Sequence, residues 1–266
     1  MMSEPAEILD LDLIKIGFIT GGKKVFLYPV ISSHAKTGEL IAIIGRNGIG
    51  KSTLLRTIAG LQSPLAGIVR IEGRNLDRYS RNQLARKVGY ISTEVVKTGD
   101  MRVYDLVSLG RFPYTDWFGR LDSFSHSAVM DSIKLSGMSD FAQRYLTELS
   151  DGERQRAMIA MVLARNASLI ILDEPTAFLD IKSKYEILQL LHDLVKQQNK
   201  TVIFSTHDLH SAIDHADKIW LMLDRGIIEG TPEELILNNA FDELFADSPM
   251  KYKRSGKIKN YRQKSI

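Results

Sequence analysis

The 266-residue sequence contains no cysteine, which excludes disulfides, thiolate metal sites and cysteine nucleophiles. It also has no apolar run approaching the roughly 18 residues that a membrane-spanning helix needs. The first twelve residues include acidic side chains and lack a basic segment followed by an apolar one, so we expect no secretory signal. These absences favour a chain that works in a reducing compartment, and they leave open that it lies against a membrane.

Acidic residues are missing from the last part of the chain. Residues 251–266 contain seven Lys or Arg and no Asp or Glu, although the net charge of the whole chain is only +3. The rest of the chain is therefore mildly acidic. We expect a solvated basic tail, with contact to anionic lipid headgroups as the functional alternative. A nucleic acid interface is disfavoured because the sequence before the tail shows no basic face.

A glycine-rich motif follows the wholly apolar run Leu40–Ile44 and precedes residues 52–59, which favour a helix. In this context the pattern G-x-x-x-x-G-K-[ST] binds phosphate through backbone N–H groups and the positive end of the helix. Its lysine reaches the β- and γ-phosphates, and its serine ligates Mg²⁺. An inert glycine turn would not need this Lys-Ser pair. The predicted nucleotide-binding residues are Gly45, Arg46, Asn47, Gly48, Gly50, Lys51, Ser52 and Thr53.

Hydrophobic periodicity predicts an α/β fold. Alternating residues predict a strand over 8–19, and a turn then leads to a returning strand over 25–31. The wholly apolar run at 169–172 predicts a buried strand, and residues 201–205 predict the next one. Helical spacing over 101–165 is interrupted at Gly110, Pro113, Gly119, Gly137 and Gly152. We therefore expect a P-loop NTPase core with a mixed sheet, an N-terminal antiparallel β subdomain and an inserted helical subdomain at about residues 95–165.

Polar residues follow two of the predicted buried strands. Asp173 and Glu174 come directly after the run 169–172, and Thr206, His207 and Asp208 come after 201–205. Open α/β sheets bind their ligands at the carboxyl ends of their strands. We therefore expect the two carboxylates and the histidine to lie at one edge of the sheet.

The class of protein is indicated by Leu149-Ser150-Asp151-Gly152-Glu153-Arg154-Gln155-Arg156. This segment resembles the signature motif of ABC ATPases, most often L-S-G-G-Q, and begins 24 residues before Asp173, the usual interval in that family. The segment also predicts a helix start with Ser150 and Glu153 as a capping box, and the two interpretations are compatible. The resemblance to the ATP-binding subunit of an ABC transporter covers roughly residues 8–240. It implies an ABC ATPase domain over 1–240, followed by a C-terminal extension with the basic tail over 241–266.

The resemblance implies roles for residues around ATP and Mg²⁺. Phe18 matches the aromatic residue that stacks on adenine. Asp173 matches the carboxylate that orders Mg²⁺ mainly through water, and Glu174 matches the catalytic carboxylate that polarises the attacking water. His207 matches the switch histidine that contacts the γ-phosphate.

The resemblance also implies a homodimer with two shared ATP sites. Asp180 matches the D-loop that crosses the dimer interface. Ser150 and Gly152 match the signature residues that contact the ATP bound to the second subunit, and Glu153 stands where the signature usually has Gln.

One motif departs from the family pattern. After the strand predicted at 88–91 the family has a glutamine that ligates Mg²⁺ and senses the transmembrane partner. This chain has Ser92-Thr93-Glu94 there, so either Thr93 or Glu94 occupies that position. Glu94 would supply an oxygen ligand of the kind that Mg²⁺ prefers.

Residues 103–115 resemble a segment of ABC importers for ferric siderophores, haem and vitamin B12, where an LGR-x-P run lies beside the groove for the permease. The resemblance implies a peripheral ATPase at the cytoplasmic face of the plasma membrane. It would work with a separate transmembrane permease and, indirectly, a substrate-binding protein, and no nucleic acid is expected. The alternatives are an ABC ATPase for another transported substrate, and a soluble ABC protein that acts on nucleic acid or ribosomes.

Overall fold

The computed structural model describes residues 6–93, 100–115 and 122–245. The strands within these ranges are β1 (Glu7–Lys15), β2 (Gly17–Thr20), β3 (Lys23–Phe26), β4 (Ile31–Lys36), β5 (Leu40–Gly45), β6 (Ala66–Ile71), β7 (Arg74–Asn75), β8 (Val88–Ile91), β9 (Leu169–Leu172), β10 (Thr201–Thr206), β11 (Lys218–Leu223) and β12 (Gly226–Gly230). The α-helices are α1 (Lys51–Ile58), α2 (Arg81–Ala85), α3 (Val103–Leu109), α4 (Ser123–Leu135), α5 (Asp151–Ala164), α6 (Ile181–Gln198), α7 (Leu209–His215) and α8 (Pro232–Leu237).

The described strands form three sheets. The main sheet has the order β12-β11-β5-β10-β9-β8, and its strands are parallel except for the β11–β12 hairpin. A second, antiparallel sheet has the order β4-β1-β6-β7, and β2 and β3 form a separate hairpin. The prediction of a mixed core sheet with an N-terminal antiparallel part is therefore confirmed.

The central strands of the main sheet are buried on both faces, which explains why β5 and β9 are apolar throughout. On β5, Leu40, Ala42 and Ile44 pack with α5, α6 and α7 in one core cluster. Ile41 and Ile43, which point the other way, pack with α1 and the antiparallel sheet in a second cluster. Because side chains alternate along a strand, polar groups have room only where the strands end.

Helices α3, α4 and α5 lie between β8 and β9 in the chain and share a third core cluster. Their buried residues include Val107, Ile133 and Ala160, each with no exposed surface. Gly152 does not interrupt this helical part, because it lies in the first turn of α5. The prediction of a break at Gly152 is therefore wrong, whereas helical structure between β8 and β9 is confirmed.

The prediction of one continuous strand over 8–19 is also wrong. Leu13 adopts a left-handed backbone with φ of 51°, and the pairing of β1 with β4 shifts register between Leu11 and Ile14. The chain then leaves the antiparallel sheet, and β2 begins at Gly17. Since a Cβ at that glycine would lie 2.0 Å from the Val25 carbonyl oxygen, only glycine permits this close approach of the hairpin strands. The predicted returning strand over 25–31 is likewise two strands, β3 and β4.

The end of the described chain packs against the core. Residues 240–245 form a short 3₁₀ helix, and Phe241 is buried in the cluster with α6 and α8. The predicted basic tail, 251–266, lies outside the described residues. Among the helices in the described ranges, none combines the length and the apolar character needed to cross a bilayer.

Tyr28 fixes the connection between β3 and β4 to the main sheet. Its buried hydroxyl donates a hydrogen bond of 2.8 Å to the Leu223 carbonyl oxygen at the end of β11. Burial raises the pKa of this phenol to about 12, despite the opposing effect of that hydrogen bond. The contact matters for the site because β11 lies beside β5, where Met222 pairs with Gly45.

We expect Tyr28→Phe to lower the free energy of unfolding by about 1–2 kcal/mol, because the Leu223 carbonyl would be buried without its donor. Urea denaturation with an unchanged slope measures this loss. Tyr185→Phe is the control, since that side chain is 60% exposed and its change should be near zero. Equal stability of the two variants would show that the Tyr28 hydroxyl contributes nothing.

Candidate active site

The glycine motif forms the turn between β5 and α1. Gly48 and Gly50 have φ of 80° and 111°, a backbone conformation that glycine adopts without strain. Gly45 is packed so closely that a Cβ would lie 2.8 Å from the Met222 carbonyl oxygen. The exposed Ser52 and half-buried Thr53 open the first turn of α1, whose N-terminus points its unpaired N–H groups at this loop. The loop therefore has the form of an anion-binding turn.

Lys51 is the cation of this turn. Its side chain is buried, and its ammonium donates hydrogen bonds to the carbonyl oxygens of Gly45 at 2.9 Å and Arg46 at 3.3 Å. Burial lowers the pKa of Lys51, while the negative charges of Glu174 and Asp173 oppose that shift. A bound phosphate would add negative charge and favour the protonated lysine further.

The two carboxylates lie at the end of β9, as predicted. Asp173 is buried, and its Oδ1 accepts a 2.7 Å hydrogen bond from the Ser205 hydroxyl. Glu174 is partly exposed and has a left-handed backbone with φ of 48°. This conformation costs a non-glycine residue on the order of 1–3 kcal/mol and is typical of active sites. The backbone N–H of Glu174 donates to the same Ser205 hydroxyl at 2.8 Å.

His207 follows β10 and faces Glu174. Its Nδ1 lies 3.6 Å from Glu174 Oε2, and its side chain is 59% exposed. Asp208 caps α7, because its side chain accepts a hydrogen bond from the Ser211 N–H. Burial alone would raise the pKa of Asp208, but the hydrogen bonds from Ser211 lower it below its usual value. The cap fixes the start of α7 directly after the histidine, which limits where the imidazole can point.

Lys51, Glu174 and His207 line one cleft of about 500 Å³, within the size range of small-molecule sites, whereas Asp173 lines a second groove. Phe18, the predicted adenine platform, is on the exposed hairpin strand β2 and is not among the residues that line this cleft. Leu27, just after that hairpin, does line it. The lining residues are Leu27, Asn47, Gly48, Gly50, Lys51, Ser52, Thr53, Glu174, Phe178 and His207.

The signature-like segment forms the start of α5. Ser150 caps this helix, and Glu153 completes the capping box by accepting from the Ser150 N–H at 2.8 Å. That hydrogen bond is the main reason why the pKa of Glu153 is lowered. Ser150 is exposed, and no described residue of α5 is among those that line the cleft. The chain therefore presents this helix N-terminus to the outside rather than to its own glycine loop.

Helix α6 begins beside α5. Asp180 is exposed and caps α6, and hydrogen bonds from Ser183 hold its pKa below the usual range. Gly152 is packed against this start, since a Cβ there would lie 2.6 Å from Ser183 Oγ. An ion pair between Arg156 and Glu186 joins the two helices one turn further on. The N-termini of α5 and α6 are thus held together as one unit.

A separate groove of about 270 Å³ lies between the carboxylate edge and the helices α3 and α5. Thr93 is exposed and lines this groove, together with Leu106, Arg154 and Gln155. Glu94, the alternative at the glutamine position, lies outside the described residues.

Arg111, from the LGR-x-P-like segment, is buried rather than available to a partner. Its guanidinium donates to the Ala164 carbonyl oxygen at 3.0 Å and to Ser125 Oγ at 3.2 Å. It also lies 3.8 Å from the centre of the Tyr114 ring. Arg111 therefore holds α3, α4 and α5 together, whereas its neighbour Phe112 is 74% exposed.

Comparison with known proteins identifies the family to which this chain belongs. The family model described as "ABC transporter" matches residues 29–177. The chain belongs to the ABC transporter family. It is an ATPase of the kind that binds ATP and couples its hydrolysis to transport.

Three similar proteins illustrate the relationship. The ferric enterobactin transport ATP-binding protein FepC of Escherichia coli is 35% identical over 78% of this chain and 77% of its own length. The iron(3+)-hydroxamate import ATP-binding protein FhuC of Bacillus subtilis is 35% identical over 89% of this chain and 87% of its own. A bacterial ABC transporter cassette, MJ0796, solved as a dimer, superposes with a TM-score of 0.73 at 26% identity, covering 85% of this ATPase and 99% of that chain.

Sequence reasoning missed three residues of the site. Leu27 and Phe178 line the cleft without belonging to the predicted nucleotide-binding set. Ser205 contacts both carboxylate residues from β10, where it follows three apolar residues, 202–204. Its signal in the sequence is a hydroxyl at the end of the run 202–204, where burial demands hydrogen-bond partners.

We expect Lys51→Ala to weaken ATP binding by about 10–100-fold, because a charge-assisted hydrogen bond to phosphate is worth about 1.5–3 kcal/mol. Titration with a fluorescent ATP analogue measures this change. Lys200→Ala is the matched control, since burial also lowers the pKa of Lys200, whose ammonium bonds Asn166 rather than the site. Unchanged affinity in Lys51→Ala would contradict the assignment of the glycine loop.

Proposed function

We propose that this chain is the ATP-hydrolysing subunit of an ABC importer that takes up a ferric siderophore or a related haem or cobalamin substrate. The observation that carries the ATPase part is the convergence of Lys51, Glu174 and His207 on one cleft beside the glycine loop. The importer part is supported by relatives named for ferric enterobactin transport and for iron(3+)-hydroxamate import.

In the proposed reaction, the glycine loop and Lys51 hold the phosphates of ATP. Glu174 polarises the attacking water as general base, a role that a partly exposed carboxylate at the cleft wall suits. His207, 3.6 Å from that carboxylate, contacts the γ-phosphate. The left-handed backbone of Glu174 supports this role, because strained residues that persist are concentrated at functional sites.

Mg²⁺ is part of the proposal, and the donor set fits it. Ser52 offers an exposed hydroxyl at the start of α1, and Asp173 offers a carboxylate at the end of β9, on the same edge of the sheet. Both are hard oxygen donors of the kind that Mg²⁺ prefers, and this ion usually keeps several waters and binds substrate phosphates. When bound, it would neutralise charge that develops on the phosphates.

We propose that two copies of the chain complete each ATP site. The signature residues Ser150 and Gly152 are at a helix N-terminus that lies outside the chain's own cleft. A helix N-terminus favours bound phosphate, so this one would serve the ATP held by a second copy. Asp180, at the adjoining N-terminus of α6, would lie in the same interface, and the related cassette solved as a dimer supports this arrangement.

The transmembrane permease is the other proposed partner. The proposed contact surface comprises the groove that Thr93 and Leu106 line and the exposed side chain of Phe112. It borders helices α3 and α5, where the resemblance places the permease contact. Closing and opening of the ATPase dimer would drive the permease from this groove at the cytoplasmic face of the membrane. The transported chelate would contact the permease and its binding protein, not this chain.

We expect Glu174→Gln to bind ATP, to hydrolyse it at least about 100-fold more slowly, and to accumulate as an ATP-bound dimer, because loss of a general base typically costs 10²–10⁴-fold. Phosphate release and size-exclusion chromatography with light scattering measure the two effects. Glu233→Gln, in the exposed first turn of α8, is the control. Normal turnover by Glu174→Gln would place the base elsewhere.

Uptake assays in cells that carry this chain test which substrate is transported. We expect replacement by Glu174→Gln to abolish uptake of a radiolabelled ferric siderophore and to impair growth under iron limitation, since substrate entry depends on ATP turnover. Separate uptake arms with haem and cobalamin distinguish the related substrates. Normal uptake of all three compounds would contradict the importer proposal, and a defect in ribosome profiles instead would favour the soluble alternative.

A further inference from the structure

We propose that Ser205 is a positioning residue for hydrolysis, and this inference rests on the proposed ATPase function. Its hydroxyl holds both the buried carboxylate of Asp173 and the backbone of Glu174. The family motifs assign no role to this serine, and the nearest motif residue on its strand segment is His207, two residues later.

The Ser205 hydroxyl acts both as a donor and as an acceptor. Ser205 Oγ donates its single proton to Asp173 Oδ1 at 2.7 Å and accepts the Glu174 N–H at 2.8 Å. Ser205 itself has no exposed surface. Burying a hydroxyl is unfavourable unless it is hydrogen-bonded, so the two hydrogen bonds offset the cost of burying Ser205.

The position of the strands makes these contacts possible. Strand β10 lies between β5 and β9, and Phe204 pairs with Leu172 in parallel register. One residue further along, Ser205 therefore faces Asp173, the first residue after β9. A hydroxyl at this position reaches across from the strand that carries His207 to the strand that carries both carboxylates.

The two hydrogen bonds have different consequences for the chemistry. The bond to Oδ1 fixes the plane of the Asp173 carboxylate, which the proposal assigns to Mg²⁺. The bond from the N–H stabilises Glu174 in its left-handed conformation, and this backbone conformation sets the direction of the catalytic side chain. Partners of this kind typically contribute 10–100-fold to metal affinity or activity.

The chain offers a matched control on the same strand. Thr201 is also fully buried, and its hydroxyl also makes two bonds, donating to the Lys36 carbonyl oxygen at 3.2 Å and accepting the Gly38 N–H at 3.1 Å. It lies at the opposite end of β10, away from the cleft. Thr201→Val therefore removes an equivalent buried hydroxyl without touching the carboxylate edge.

The test compares Ser205→Ala with Thr201→Val in the full-length protein. We expect Ser205→Ala to lower kcat by about tenfold and to raise the Mg²⁺ concentration for half-maximal rate, with KM for ATP within about twofold of wild type. Hydrogen exchange of the Glu174 amide without nucleotide should accelerate, because the amide loses its acceptor. Thr201→Val should lower stability while kcat and the Glu174 amide stay near wild type.

Two further variants separate the hydroxyl from the shape of the side chain. Ser205→Thr and Ser205→Val add the same bulk, so we expect the threonine variant to retain most turnover and the valine variant to lose it. The proposal is overturned if these two variants have equal kcat, if Ser205→Ala matches wild type, or if Thr201→Val loses as much turnover as Ser205→Ala. Absence of ATP hydrolysis by the wild-type chain would instead contradict the proposed function.

Discussion

Burial of the main sheet on both faces is the constraint on which the rest of this structure depends. Alternate residues of β5 pack against the helices on one side and against α1 and the antiparallel sheet on the other. Such a sheet has no solvated face on which a polar side chain could act. Chemistry is therefore confined to the strand ends, and parallel strands bring several of those ends to the same edge. The glycine loop, the carboxylate pair and His207 lie together for this reason.

The same constraint explains the electrostatics of the edge. A lysine that reaches this position has to be partly withdrawn from water, which disfavours its charged form, and Lys51 is compensated by backbone carbonyls and by the two acidic residues. A buried carboxylate needs donors for the same reason, and Asp173 receives one from Ser205. Charge and hydrogen bonding at the edge are thus balanced before any nucleotide binds, which is how a site is organised in advance of its ligand.

Sequence patterns predicted the parts of the molecule that depend on local order and on burial. Continuous apolar runs identified β5, β9 and β10 and placed Asp173 and His207 at the right edge. Residues 8–19 were wrongly predicted as one strand, because the break depends on the backbone of Leu13 and on the tight fit of Gly17 against Val25, which periodicity does not reveal. Ser205, Leu27 and Phe178 escaped prediction because their contacts come from residues that are distant in the sequence.

The packing of α5 against α6 links the two halves of the proposed composite site. The segment between Glu174 and Asp180 connects the proposed general base directly to the cap of α6. Gly152 fits against Ser183 so closely that a side chain at this position would separate the N-termini of the two helices. In the proposed dimer, the start of α5 would contact a phosphate of the ATP held by the second copy. That contact would act on the packed N-termini of α5 and α6, the second of which follows the segment after Glu174. In the proposed dimer, closure and alignment of the base would be coupled, because the packed N-termini of α5 and α6 join them.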